Sequence, residues 1–301
     1  MTTQARPLSA LDVLGIRYRG SRRAEGDERC LDGFVASAVY WDIGVPVTYG
    51  EPEMPEARRL PDEPANLGLI CAVIGDAVAA GRAAGRAVLV TGGDCSHAVG
   101  VFAGLQRAHG PTARIGLIWL DAHGDFNTPN TTLSGMLGGM PVSVCAGLGQ
   151  REWRERAGVA APLPTDRILF VDVRNLYAPE EQLIRATEAT IAAAEPGRKG
   201  VDFGPAVADL ADRCDLLYLH VDSDILDITL VPNHGTREPD GPGMAAVTAV
   251  IDAAMATGKV AAYAVVSVYG AGEGREISLA SGTELIRAGL ASWKQHGMAG
   301  A

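Results

Sequence analysis

The stretch IGLIWLDAHGDFNTP, Ile115 to Pro129, passes from an apolar run to Asp121, His123 and Asp125 with no polar transition between them. A short run that is apolar at every position reads as a strand buried on both faces, as in a parallel sheet covered on two sides. Side chains of an extended segment alternate faces, so the spacing predicts that Asp121, His123 and Asp125 point the same way where the strand ends.

Working outward, similar runs lie at Ala87–Val90, Ile168–Val173, Leu216–Val221 and Ala262–Val268. Between and after them, residues 65–85, 97–110, 179–195, 243–258 and 278–297 carry amphipathic or alanine-rich helical patterns. Strand-then-helix repetition predicts a three-layer α/β/α sandwich built on a mostly parallel sheet. Val45–Pro64, rich in Pro and Glu, reads as a surface loop between structured segments, so residues 1–301 are expected to form one domain without internal repeats.

Composition narrows the function. At 301 residues and 47% hydrophobic, the chain can bury a sizeable core. A formal charge of −10 argues against a nucleic-acid backbone or an anionic membrane as partner. Cys30, Cys71, Cys95, Cys145 and Cys214 form no CxxC pair, which suits a reducing cytoplasm better than a disulfide framework or a zinc ribbon. The opening MTTQARPLSALDV has no apolar signal segment, and no run approaches the roughly 18 apolar residues of a membrane span, so a soluble cytoplasmic protein is expected.

Ligands of open parallel sheets gather beyond the carboxyl ends of the strands. There the sequence places TGGDCSHAVG, DAHGDFN and DSDILD, and with them Asp94, Cys95, Asp121, His123, Asp125, Asp222, Asp224 and Asp227. A single DxD commonly caps a helix or a turn. Two such motifs on different strands gather carboxylates that repel unless a cation compensates them, and a divalent metal is the simplest solution.

The set GGDCS, DAHGD and DSDILD, in this order, resembles the motifs of the ureohydrolases, the family of arginase and agmatinase. The resemblance implies an about eight-stranded, mostly parallel sheet between helices and a binuclear centre of two divalent ions, manganese by family habit. It assigns Asp121, His123, Asp222 and Asp224 to one ion, and Cys95, Asp121, Asp125 and Asp222 to the other. It further implies hydrolysis of a linear C–N bond of a guanidino or amidine compound by a metal-bridging hydroxide, with urea and an amine as products. Asp224 and Asp125 would be catalytic, and a homo-oligomer, trimer or hexamer, would be the assembly.

Departures from the pattern are as informative. Cys95 stands where the family has histidine; a thiolate suits zinc, iron, cobalt or nickel better than manganese, and a small buried thiol without a ligand role is the other reading. His97 reads as a surface or packing residue, His220 as a core histidine or one standing behind the ligands. Asn127, Ser134, Glu180 and Thr236 match substrate-side positions. Tyr177 replaces an aspartate, Gly138 a proton-shuttling histidine, and Ser267 a guanidinium-pairing glutamate, for which Glu273 and Glu276 are the stand-ins in the sequence. His234 and Arg237 are additional, either contacting an anionic part of a substrate or facing water. A catalytically inactive fold that acts by binding is the alternative these changes raise.

Overall fold

The computed structural model describes residues 5–300; the first four residues of the opening segment judged for a signal lie outside them. Its strands are β1 (Leu11–Ile16), β2 (Tyr18–Arg19), β3 (Arg22–Arg23), β4 (Val47–Gly50), β5 (Ala87–Gly92), β6 (Ile115–Leu120), β7 (Ile168–Val171), β8 (Thr190–Ala193), β9 (Val201–Asp202), β10 (Leu216–Asp222) and β11 (Val260–Val266). The helices are α1 (Leu31–Ala36), α2 (Glu63–Ala83), α3 (Ala98–His109), α4 (Pro141–Cys145), α5 (Arg151–Ala157), α6 (Ala178–Arg185), α7 (Phe203–Arg213), α8 (Met244–Ala256) and α9 (Arg275–His296).

Nine strands form one sheet in the order β4-β1-β5-β11-β10-β6-β7-β8-β9, and every pairing within it is parallel. The central strands β5, β6, β10 and β11 are buried at every position, which is why their sequences are apolar without alternation. One hydrophobic cluster joins Phe34, Val207, Val250 and Trp293, from α1, α7, α8 and α9, to one face of the sheet. A second joins Ile74, Val101, Val142 and Trp153, from α2 to α5, to the other face. The result is the three-layer sandwich expected from the strand-and-helix repetition.

Four details differ from the sequence reading. The pattern at 179–195 divides into α6 and β8, because the alanine run after Arg185 carries no polar face and pairs with β7 instead. Val45–Pro64 is not loop throughout: it begins with edge strand β4, paired to β1. These short outer strands, with β9, bring the sheet to nine rather than about eight. Finally, α2 at 21 residues is long and apolar enough by composition to cross a membrane. Its apolarity serves the interior, since it packs on α3 so closely that a Cβ at Gly104 would lie 2.6 Å from the Gly75 carbonyl oxygen.

Candidate metal centre and substrate pocket

The neighbouring strands β5, β11, β10 and β6 end side by side, and each contributes to one cluster. After β5, Gly92 and Gly93 take the left-handed conformation, with φ of 71° and 63°, and turn the chain into Cys95. A Cβ on Gly92 would sit 2.9 Å from the Ile16 carbonyl oxygen, so the turn needs glycine for space as well as for φ. Asp94 caps the following turn: its Oδ1 accepts from Ser96 N at 3.1 Å, and His97 Nδ1 accepts from Asp94 N at 3.1 Å. His97 is therefore a buried packing and capping residue, not a surface one.

The segment after β6 converges by a different route from the one expected. Strand geometry stops at Leu120 and the chain bends, with Asp125 at φ 45°, so alternation in an extended segment does not aim these side chains. The bend still brings Asp121, His123 and Asp125 to one cavity. Asp121, Asp125, Asp222, Asp224 and Cys95 are all buried, at 1, 7, 5, 3 and 6% exposure.

Distances are short. Cys95 Sγ lies 3.0 Å from Asp222 Oδ2 and 3.4 Å from Asp121 Oδ2. His123 Nδ1 lies 3.2 Å from both Asp121 Oδ1 and Asp224 Oδ2. Potential ligand atoms come together as Cys95–Asp121–Asp222, Asp121–His123–Asp224 and Asp222–Asp224–His234. Of the residues expected at one ion, Asp121, His123 and Asp224 come together, with Asp222 beside Asp224 in a separate group; of those expected at the other, Cys95, Asp121 and Asp222 do, and Asp125 lines the same cavity. Asp227 is not: it turns outward to cap Thr229.

Electrostatics mark the cluster as incomplete. Burial, with Asp224 and Asp222 close by, drives the Asp121 carboxyl well above the usual carboxylate range. Burial and Asp121 do the same to Asp125, and burial with Asp222 raises the Cys95 thiol. Burial alone would lower His123, yet its bonds to Asp121, Asp224 and Glu238 raise it strongly. Against the raising effect of burial, His123 and His234 hold Asp224 low. Packed like charges of this kind fit a cation: these oxygen, nitrogen and sulfur donors, with few opposing positive groups, are what two divalent ions require.

A cavity of about 610 Å³ opens over the cluster. Asn127, Ser134, Tyr177, Glu180, Thr236 and Ser267 all line it, but their surroundings differ. Thr236 Oγ1 donates to Asp224 Oδ2 at 2.7 Å and Ser267 Oγ to Asp222 Oδ2 at 2.5 Å, so both hydroxyls orient acidic groups. Glu180 is buried and accepts from Phe126 N at 2.9 Å, which fixes the Asp125 loop from beneath. Asn127 Oδ1 accepts from Thr131 Oγ1 at 3.2 Å, Ser134 Oγ takes Met136 N at 3.1 Å, and Tyr177 stands half exposed at the rim.

Two contributors were missed or misplaced in the sequence. His234 does not face water: it is buried and lines the cavity, with Nε2 3.3 Å from Asp222 Oδ1. Neither Glu273 nor Glu276 lines the cavity; Glu276 pairs with Arg275 at 3.0 Å. A lining carboxylate not singled out from the sequence is Glu238, which accepts from His123 Nε2 at 3.0 Å and Asn175 Nδ2 at 2.9 Å. The available signal was His and Glu two residues either side of Thr236, in a loop that Arg174 ties down through Asp224 O at 2.8 Å and Pro239 O at 3.0 Å.

A family model described as the arginase family matches residues 34–291. The chain belongs to the arginase family. Among relatives of this arginase-family chain, the arginase of Bacillus caldovelox is 35% identical over 155 residues, 50% of this chain and 51% of that protein. The arginase of Eremothecium gossypii is 31% identical over 208 residues, 67% of this chain and 51% of that protein. The chain spans about half the length of the curated relatives it matches. Solved structures share its fold over nearly their full length. The arginase of Entamoeba histolytica in complex with L-ornithine superposes with a TM-score of 0.80 at 20% identity, covering 94% of this chain and 99% of that one. The formimidoylglutamase of Bacillus subtilis gives 0.70 at 15% identity, covering 97% and 89%. The resemblance read from GGDCS, DAHGD and DSDILD is borne out at the level of family and fold.

Proposed function

We propose that this chain, acting as one domain, is a binuclear metal-dependent amidinohydrolase that cleaves a linear C–N bond of a guanidino-type compound, giving urea and an amine. The observation that carries the reading is the convergence of Asp121, Asp125, Asp222, Asp224, His123 and Cys95 at the floor of an open cavity. Asp121, His123, Asp222 and Asp224 would hold one ion, and Cys95, Asp121, Asp125 and Asp222 the other. Two bound cations would supply charge compensation and water activation near neutral pH.

The chain's own groups do the rest. Asp224, oriented by Thr236 and its own backbone contact to Asp222, takes the proton of the attacking water and passes it to the departing nitrogen. The water oxygen forms its bond to the guanidino carbon; the carbon–nitrogen bond then breaks with its electron pair leaving on the protonated amine. Asp125, Asn127 and Ser134 line the cavity, and Leu133, Met136 and Tyr177 give its mouth an exposed apolar rim. An apolar rim with Tyr177 in place of an aspartate favours a substrate other than arginine itself. Homo-oligomerisation and a cytoplasmic setting belong to the same proposal.

Metal-loaded full-length chain, screened against guanidino, N-hydroxyguanidino and formimino compounds, is expected to release urea or the cognate amide only when ions are present. Full loading without turnover across that panel would support the second reading, a binding protein, for which Ser267 in place of a glutamate is the motivating observation.

A further inference from the structure

Alternation along β10 places Tyr218, His220 and Asp222 on one face of the sheet, and Cys95 lies over that row. Tyr218 Oη is 2.8 Å from His220 Nδ1, and His220 Nε2 is 3.3 Å from Cys95 Sγ. The Trp119 ring stacks on the imidazole at 3.8 Å between centroids with 3° between planes, which fixes its orientation. Tyr218 and His220 are both fully buried.

Hydrogen-bond accounting sets the direction of this row. Among the described residues, His220 Nδ1 is the one hydrogen-bond partner of the Tyr218 hydroxyl, so the phenolic proton goes to that nitrogen. The opposite direction would leave a buried O–H unpaired at a cost of about 1–3 kcal/mol. A neutral imidazole that accepts at Nδ1 carries its own proton on Nε2, and that N–H points at the Cys95 sulfur. The sulfur in turn gives its proton to Asp222 Oδ2 at 3.0 Å, beside Asp121 Oδ2. The thiol proton therefore sits where two carboxylate oxygens and the sulfur converge.

We propose that Tyr218, His220 and Trp119 are positioning residues that hold the Cys95 sulfur as a metal ligand through an N–H···S hydrogen bond, reserving that side of the centre for a thiolate-preferring divalent ion, cobalt, zinc or iron, over manganese. The proposal rests on the reading of the cluster as a cation centre. Binding there exchanges one proton for one ion: the S–H bond breaks, a metal–sulfur bond forms, and the proton leaves to solvent while the N–H···S contact persists. Loss of an orienting contact of this kind typically costs about 10- to 100-fold in metal affinity.

Chelator-stripped full-length chain titrated with Co²⁺ provides the test. A near-ultraviolet thiolate-to-cobalt charge-transfer band is expected to grow with one equivalent, to be absent in C95S and to survive equimolar Mn²⁺. H220F is expected to shift the band to lower energy and to weaken cobalt binding at that position by about 10- to 100-fold. Y218F, which removes one oxygen and leaves packing intact, is expected to shift it the same way by less. Cobalt uptake without the band, or loss of the band to equimolar Mn²⁺, would overturn the proposal while leaving the centre standing. An unchanged band and affinity in both H220F and Y218F would overturn the positioning role. No cobalt uptake at all would remove the centre itself.

Discussion

The two edges of the sheet bury charge in opposite ways. At the amino edge, Arg82 is fully buried and its donors are met: Nη1 by Arg86 O at 2.8 Å, Nη2 by Ala299 O and Gly300 O at 2.9 Å each, and Nε by His109 Nε2 at 3.3 Å. Burial lowers that guanidinium only to about 10, so it remains charged and satisfied. At the carboxyl edge, four carboxylates and a thiol face one another with His123 and His234 for company. A closed polar cluster pins the C-terminal segment; an open one is costly to the fold alone and makes sense with cations added.

The sharpest way to break this contrast is to alter one residue at each edge. D224N is expected to lower turnover by roughly 10³-fold or more while the protein stays folded, measured by steady-state kinetics alongside circular dichroism. At the other edge, R82M strips donors from three carbonyls and is expected to cost about 3–5 kcal/mol in denaturant unfolding. D121N should do the reverse in metal-stripped protein, stabilising it by about 1–3 kcal/mol, because a neutral amide relieves the like-charge crowding. If D121N destabilised the stripped chain, the carboxyl edge would be as satisfied as the amino edge.

A smaller effect concerns His123. E238Q weakens the hold on His123 Nε2 and is expected to reduce metal affinity by about 10-fold, read by competition with a chelating dye, with little change in stability.

The two edges should also give opposite pH slopes in stripped protein. Burial and Arg82 lower His109 to about 4, from 6.5 when exposed. Its contribution is complete above pH 6.5 and is lost as pH falls toward 4, at up to about 1.4 kcal/mol per pH unit. Asp121 and Asp125 are raised above 3.8, so their contribution is complete below that value and is lost as pH rises. H109N should flatten the acid slope, and D121N the neutral one; coincident curves for all three proteins would contradict the contrast.

What the sequence disclosed follows from the same physics. Strands buried on both faces, such as Ile115–Leu120, must be apolar throughout and so announce themselves. Edge strands β4 and β9 and the strand β8 bury less, and composition does not separate them from loop or helix. The acidic residues and the histidine that follow β6 and end β10 were legible from DAHGD and DSDILD. His234 and Glu238 were not, because a long loop brings them back over the site and no local period records that return. Ser267 was legible as a departure, but its bond to Asp222 became visible only with β11 placed beside β10.

The most direct measurement is calorimetric titration of chelator-stripped, full-length chain with a divalent ion, followed by thermal unfolding of the product. Two ions per chain and a Tm that rises with ion concentration are expected, with both effects diminished in D121N. Absence of uptake at millimolar Mn²⁺ and Co²⁺ alike, with an unmoved Tm, would contradict it.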